Sequence, residues 1–141
     1  MLYTVLINNR LKTSKKYIKQ LRKYKGINKE QLDNDNDLEK LWSVERGLQL
    51  SIQIMIDIGN HILSEKGIYA NNNKDIFKKL SFEGIISDEL YNKISSLEDL
   101  RFNLIFNSKS IEINEITDVL NNKLNDFEEF SRYINDYLEN I

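Results

Sequence analysis

Residues 38–67, LEKLWSVERGLQLSIQIMIDIGNHILSEKG, decide the fold. Leu41, Leu48, Ile52, Met55 and Ile62 recur at helical spacing and form one stripe. Val44, Ile54, Ile56, Ile58 and Leu63 make the segment apolar almost all round. A helix of that kind has to be enclosed by other elements or shared with a partner subunit. The pattern predicts a helix from Asn36 to Lys66. Gly67 suits the left-handed position just past its end, with Ile68 folding back on Leu63 as in a Schellman stop.

One narrow face breaks the apolar rule. Arg46, Gln49, Gln53, Asp57 and then Asn60 or His61 follow at steps of three or four. Asp57 and His61, four apart, are placed for a hydrogen bond that would orient or charge the imidazole. This polar strip reads in two ways: a solvent-facing edge with a satisfied histidine, or the wall of a cleft.

Working outward, Ile7, Leu11, Ile18 and Leu21 predict a first helix over Leu2–Tyr24, stopped by Gly26. Lys12, Lys15, Lys16, Lys19, Arg22, Lys23 and Lys25 make it the one locally cationic segment, read as a solvated face ahead of a phosphate groove. Asp33-Asn34-Asp35-Asn36-Asp37 begins like a calcium loop. Leu38, however, stands where the turn glycine belongs and Val44 where the bidentate glutamate belongs, so these acids are read as helix caps.

Beyond Gly67, Asn71-Asn72-Asn73 is a loop and N-cap cluster before a short helix over Lys74–Leu80 and a turn at Gly84. Ser87-Asp88-Glu89 then starts a helix carrying Leu90, Ile94, Leu97, Leu100, Leu104 and Ile105, with Ile86 and Tyr91 placed for a hydrophobic staple. After a connector at 108–112, the apolar positions from Ile116 through Phe127 to Ile141 predict one long amphipathic helix from Asn114, roughly 40 Å at 1.5 Å per residue.

The chain has no proline and only five glycines, which suits long uninterrupted helices. The expected fold is all-α: an up-and-down bundle of four long helices and a short one, with 1–141 as a single domain. Twenty basic and 22 acidic side chains leave a formal charge of -2, so any RNA binding has to be local. The absence of cysteine excludes thiol catalysis and disulfides, and a single histidine argues against a transition-metal site. No phosphate-cradling glycine loop is present, and no cofactor is expected. With no apolar run of roughly 20 residues and no leader-like N-terminus, the expectation is a soluble cytoplasmic chain without membrane association.

The order of features goes further. The run ERGLQLSIQIMIDIGNHIL (45–63), a short helix, FKKLSFEGIISDELYNKISSLEDLRFNLIFN (77–107) and a long last helix resemble the HepT-like branch of the HEPN superfamily, from about Glu39 to the end. Glu45-Arg46, the Asp57 to His61 segment, Phe77 to Leu80 followed by Gly84-Ile85-Ile86, and Leu100-Arg101 carry the resemblance. It implies a HEPN-like homodimeric ribonuclease toxin, paired with an antitoxin of the minimal nucleotidyltransferase (MNT) type that adds adenylyl groups to a tyrosine beside the active site. The implied signature is R-x4-6-H-x-Y at the end of the fourth helix. In such metal-independent cleavage an imidazole moves the 2′-hydroxyl proton while a guanidinium stabilises charge on phosphorus.

On that motif Arg101 is the arginine, but Phe106 stands at the histidine position and Ser108 at the tyrosine position. The longer spacings bring Asn107 or Ser108 to the histidine position, and neither is a general base near neutral pH. Three readings follow. The first is a catalytically degenerate HepT-like toxin-antitoxin component that keeps dimerisation, with nucleotidyltransferase-antitoxin or RNA binding as retained roles. The second is an active endoribonuclease using Arg101 as phosphate contact and His61 as base, within a cleft of Arg46, Gln53, Asp57, Asn103 and Asn107. The third is a helical scaffolding protein unrelated to RNA.

Overall fold

Each long apolar stripe becomes a helix in the structure, a computed structural model that describes residues 2–106 and 113–141. Helix α1 runs Leu2–Leu21 and tightens into a 3-10 turn at Arg22–Tyr24. Then come α2 (Lys29–Leu32), α3 (Leu38–Glu65), α4 (Asn73–Phe82) and α5 (Asp88–Phe106). The described C-terminal part comprises α6 (Ile113–Asp118), a π-helical turn over Val119–Lys123, and α7 (Leu124–Glu139). The described residues contain no strand.

Helix α3 packs on α1, α4 and α5, while α7 bridges α1 and α5 and closes the ring. This is the expected all-α bundle of four long helices, with α4 as the short one. The all-round apolar pattern explains the centrality of α3: Val44, Leu48, Ile52, Met55, Ile56, Ile58, Ile62 and Leu63 are all buried. Phe77 of α4 and Phe130 of α7 meet edge to face with centroids 6.1 Å apart, filling the core under the short helix.

Local chemistry sets the helix ends. Gly67 has φ +72, and the Gly67 and Ile68 N–H groups donate to Ser64 and Leu63 carbonyls at 3.0 and 2.9 Å, the Schellman stop the sequence predicts. The same device ends α4, where Gly84 has φ +74 and the Ile85 N–H donates to Leu80 at 2.9 Å. Ser87 Oγ caps α5 by accepting from Leu90 N–H at 3.0 Å. Asn72 Oδ1 caps α4 through Asp75 N–H at 2.8 Å. The Asp75 carboxyl accepts from Asn71 N–H, which holds its pKa below the ordinary value.

Three expectations change. The acids at 33–37 do not cap by hydrogen bond: Asp37 occupies the N-cap position of α3 without a side-chain bond, and a reciprocal Asn28–Gln31 capping box instead creates the unforeseen α2, which buries Leu32. The C-terminal helix is not uniform. Its π turn adds a residue that lets Val119 and Leu120 both enter the core and turns Asn121 toward the chain after α1, where it accepts from Gly26 N–H and donates to the Ile27 carbonyl. Finally, the apolar stripe of α5 ends at the half-buried Leu104, because Ile105 is 38% exposed. Among the described residues no helix is long and apolar enough to cross a membrane.

Two helical glycines make a test of packing. A Cβ at Gly59 would lie 2.6 Å from Ile76 Cγ2, a stiff branched carbon in the core, whereas one at Gly47 would meet only the end of Leu21 at 2.9 Å. Gly59→Ala is expected to lose about 1–3 kcal/mol to overpacking in spite of the better helix propensity of alanine, and Gly47→Ala to be neutral or stabilising by up to about 1 kcal/mol. Urea denaturation of both variants checks this, and equal midpoints would refute the close approach of α3 and α4.

Candidate active site

The site grows from a spacing on α5. Glu98 and Arg101 stand three apart, so their side chains meet on one face. The guanidinium is held at two points: Arg101 Nε and Nη2 donate to Glu98 Oε2 and Oε1, each at 2.8 Å. Both side chains are nearly buried, at 9% and 10% exposure. The third contact leaves the helix, with Arg101 Nη1 donating to Gln53 Oε1 of α3 at 2.9 Å. The hydrogen bonds from Arg101 to Glu98 hold its pKa above the ordinary arginine value, so the charge is permanent.

From Gln53 the network continues along α3. Gln53 Nε2 donates to Asp57 Oδ1 at 2.9 Å, and Arg10 of α1 donates to Asp57 Oδ2 at 3.3 Å. At the other end Asn73 of α4 reaches Glu98 Oε1 at 3.4 Å. Four helices therefore contribute to one chain of polar contacts.

Beside the Arg101–Glu98 pair lies an open cleft of about 500 Å³, bordered by Asn72, Asn73 and Lys74 on one side and Asp99, Phe102 and Phe106 on the other. Lys74 pairs with Asp99 at 2.9 Å, which raises the lysine pKa. Phe102 and Phe106 lean on each other with centroids 4.9 Å apart, yet remain 51% and 69% exposed. Among the described residues, three of the five Arg101 N–H groups find partners. The charges of Arg101, Lys74, Glu98 and Asp99 cancel.

The sequence-predicted residues separate. Arg101, Gln53 and Asp57 are brought together. His61 is half-buried two turns beyond Gln53, about 12 Å along α3 at 1.5 Å per residue. The expected Asp57–His61 bond does not form, because Gln53 and Arg10 take the Asp57 oxygens. Arg46 is exposed and has no ion-pair partner among the described residues. Asn103 points away from this cleft and lines another one with Glu115, Asp118 and Lys123, since it lies about 200° round α5 from Arg101. Asn107 and Ser108 lie outside the described residues. Among the described residues no group of three or more His, Asp or Glu side chains is arranged to hold a metal.

Sequence reasoning missed Glu98, Arg10 and Asn73. Glu98 had a signal in its three-residue spacing from Arg101. Arg10 had none, since 47 residues separate it from Asp57.

The Ribonuclease HepT-like family model matches residues 14–134. The chain belongs to this HepT-like family. It is 31% identical over 135 residues to the protein named tRNA nuclease HepT from Aphanizomenon flos-aquae (strain 2012/KM1/D3), covering 95% of this chain and 90% of that protein. Its HepT-like fold matches a crystal structure of a toxin-antitoxin with AMP-PNP at TM-score 0.82, 24% identity, 92% of this chain and 97% of the other. It also matches a tri-AMPylated Shewanella oneidensis HEPN toxin in complex with MNT antitoxin at TM-score 0.81, 24% identity, 92% of this chain and 96% of the other.

Removing one partner of a buried ion pair leaves the other uncompensated, so Arg101→Ala is expected to lower stability by about 3 kcal/mol. The double variant Arg101→Met with Glu98→Leu should recover most of that loss. Chemical denaturation of parent, single and double variants measures it. An Arg101→Ala midpoint equal to that of the parent would show the pair to be structurally idle.

Proposed function

We propose that the chain is a HepT-like toxin-antitoxin component, a single domain over 1–141, that has lost cleavage chemistry and keeps dimerisation. The observation that carries this reading is the composition of the Arg101 cleft. Its arginine is neutralised by Glu98 at 2.8 Å, and two exposed phenylalanine rings stand at the end of α5, where the resemblance calls for an imidazole. A phenyl ring has no proton to transfer.

The same features suggest which role remains. RNA backbones are drawn by surplus positive charge, and this cleft has none. The exposed apolar surface of Phe102, Ile105 and Phe106 suits contact with protein, first a second copy of the chain. An antitoxin of the nucleotidyltransferase type is the further partner, in keeping with the shared fold of an HEPN toxin bound to MNT antitoxin. RNA binding would be a lesser retained role. No cofactor or metal enters this reading.

A second reading has support of its own: the relative at 31% identity bears the name of a tRNA nuclease. In it, Arg101 is the phosphate contact and His61 is the base.

Induced expression separates the two. Growth is expected to continue with the parent chain and to stop with Phe106→His combined with Ser108→Tyr, whose purified protein should cleave RNA about 10²–10⁴-fold faster than the parent. Arrest by the parent chain, with RNA cleavage abolished by His61→Ala, would sink the degenerate reading and establish the second. Dimerisation has its own check. Light scattering on the eluting peak should give twice 16.7 kDa, and a clean monomer at micromolar concentration would remove the proposed interface.

A further inference from the structure

The cationic face of α1, which the reading of the α5 cleft leaves unused, borders a further concavity. Helices α1 and α7 enclose a groove of about 440 Å³. Its floor is apolar, made by Leu11, Ile18 and Phe127, whose exposures are 9%, 3% and 1%. Two small residues, Ser14 and Ser131, also line the groove. Ser14 is 4% exposed, and Ser131 is already engaged with the Phe127 carbonyl of its own helix at 3.1 Å. Neither side chain is large enough to fill the space between the helices.

The rim is mostly basic. Lys12 and Lys15 project from α1 and Arg132 from α7, and none of the three has a carboxylate partner among the described residues. The one acid of the rim, Glu128, is paired with Arg22 at 2.6 Å. Three cations without a carboxylate partner among the described residues therefore border an apolar floor.

We propose that this groove binds a small anionic amphiphile, a carboxylate, sulfonate or phosphate carried on an apolar body. The apolar part lies over Leu11, Ile18 and Phe127, and the anion meets Lys15 and Arg132 from opposite walls. Volume favours a small ligand: the groove falls in the few-hundred Å³ range of small-molecule sites. A stable protein partner would need roughly 800 Å² of surface on each side. The site is distant in sequence from the α5 cleft and stands whether or not that cleft is catalytic.

Titration calorimetry with monomeric dodecanoate, held below its micelle concentration, tests the groove. The parent is expected to bind one equivalent saturably, and dodecanol at least about tenfold more weakly, because it lacks the charge. Lys15→Gln with Arg132→Gln, both exposed surface changes, should weaken dodecanoate about tenfold. Ser131→Phe should fill the groove and abolish binding, with circular dichroism confirming its helix content. A parent that takes up no dodecanoate would overturn the proposal. So would equal binding of dodecanol, or unchanged binding by the charge variant. If Ser131→Phe does not fold, the charge variant decides alone. A separate arm with vesicles of anionic phospholipid identifies the source of the anion: attachment to vesicles without uptake of the monomer would mean a charged surface and refute the groove.

Discussion

A helix that is apolar on nearly every side imposes the architecture. Helix α3 spans 28 residues and buries eleven of them, and each buried face requires a neighbour. Helix α1 covers one side, α4 and α5 the other, and α7 joins α1 to α5. What remains is the narrow polar strip, and its half-buried middle cannot be left without partners. Gln53 and Asp57 are half-buried among apolar residues, where an unpaired amide or carboxylate would be costly. Their partners come from the two flanking helices, Arg10 from α1 and Arg101 from α5. The position of Arg101 is therefore a consequence of the central helix as much as of its own.

Much of this was legible because helical periodicity and capping chemistry are local. The Gly67 and Gly84 stops, the Ser87 cap and the core stripe of α3 can each be read within a few residues. The departures have non-local causes. The π turn depends on Asn121 meeting Gly26 and Ile27, contacts across more than 90 residues. The bond imagined between Asp57 and His61 had correct spacing, but a distant Arg10 and a nearer Gln53 compete for the same oxygens. Helical spacing states which side chains share a face. It does not state which donor from another helix arrives there.

The candidate site divides on the same line. Arg101 could be singled out by resemblance to a motif, and its place at the end of α5 follows from periodicity. Its electrostatic condition could not be foreseen from the motif alone, since that depends on how deeply α5 is packed and on Gln53 across the interface. Phe102 and Phe106 illustrate the reverse. Their separation of four residues predicts that the rings meet, and they do, at 4.9 Å. Their exposure is tertiary information, because it depends on no other described helix covering that end of α5.

The polar chain has a direction that bears on what the site can do. Arg101 can only donate and the two carboxylates, when ionised, can only accept. Gln53 must therefore present its oxygen to Arg101 and its nitrogen to Asp57, since the flipped amide would set donor against donor and acceptor against acceptor. Every link from Arg10 through Asp57 and Gln53 to Arg101 and Glu98 is thus satisfied in one orientation only. Two cations and two anions share the chain, leaving it neutral. A phosphate arriving at Arg101 would meet a guanidinium whose charge Glu98 already balances at 2.8 Å, in a nearly dry setting where that attraction is strong. Such an arginine orders the α3–α5 interface effectively, but offers an incoming anion little unbalanced charge. On the proposed reading the decisive loss is the proton carrier, with Phe106 where the resemblance calls for an imidazole, and the balanced Arg101 leaves the cleft a neutral, aromatic surface.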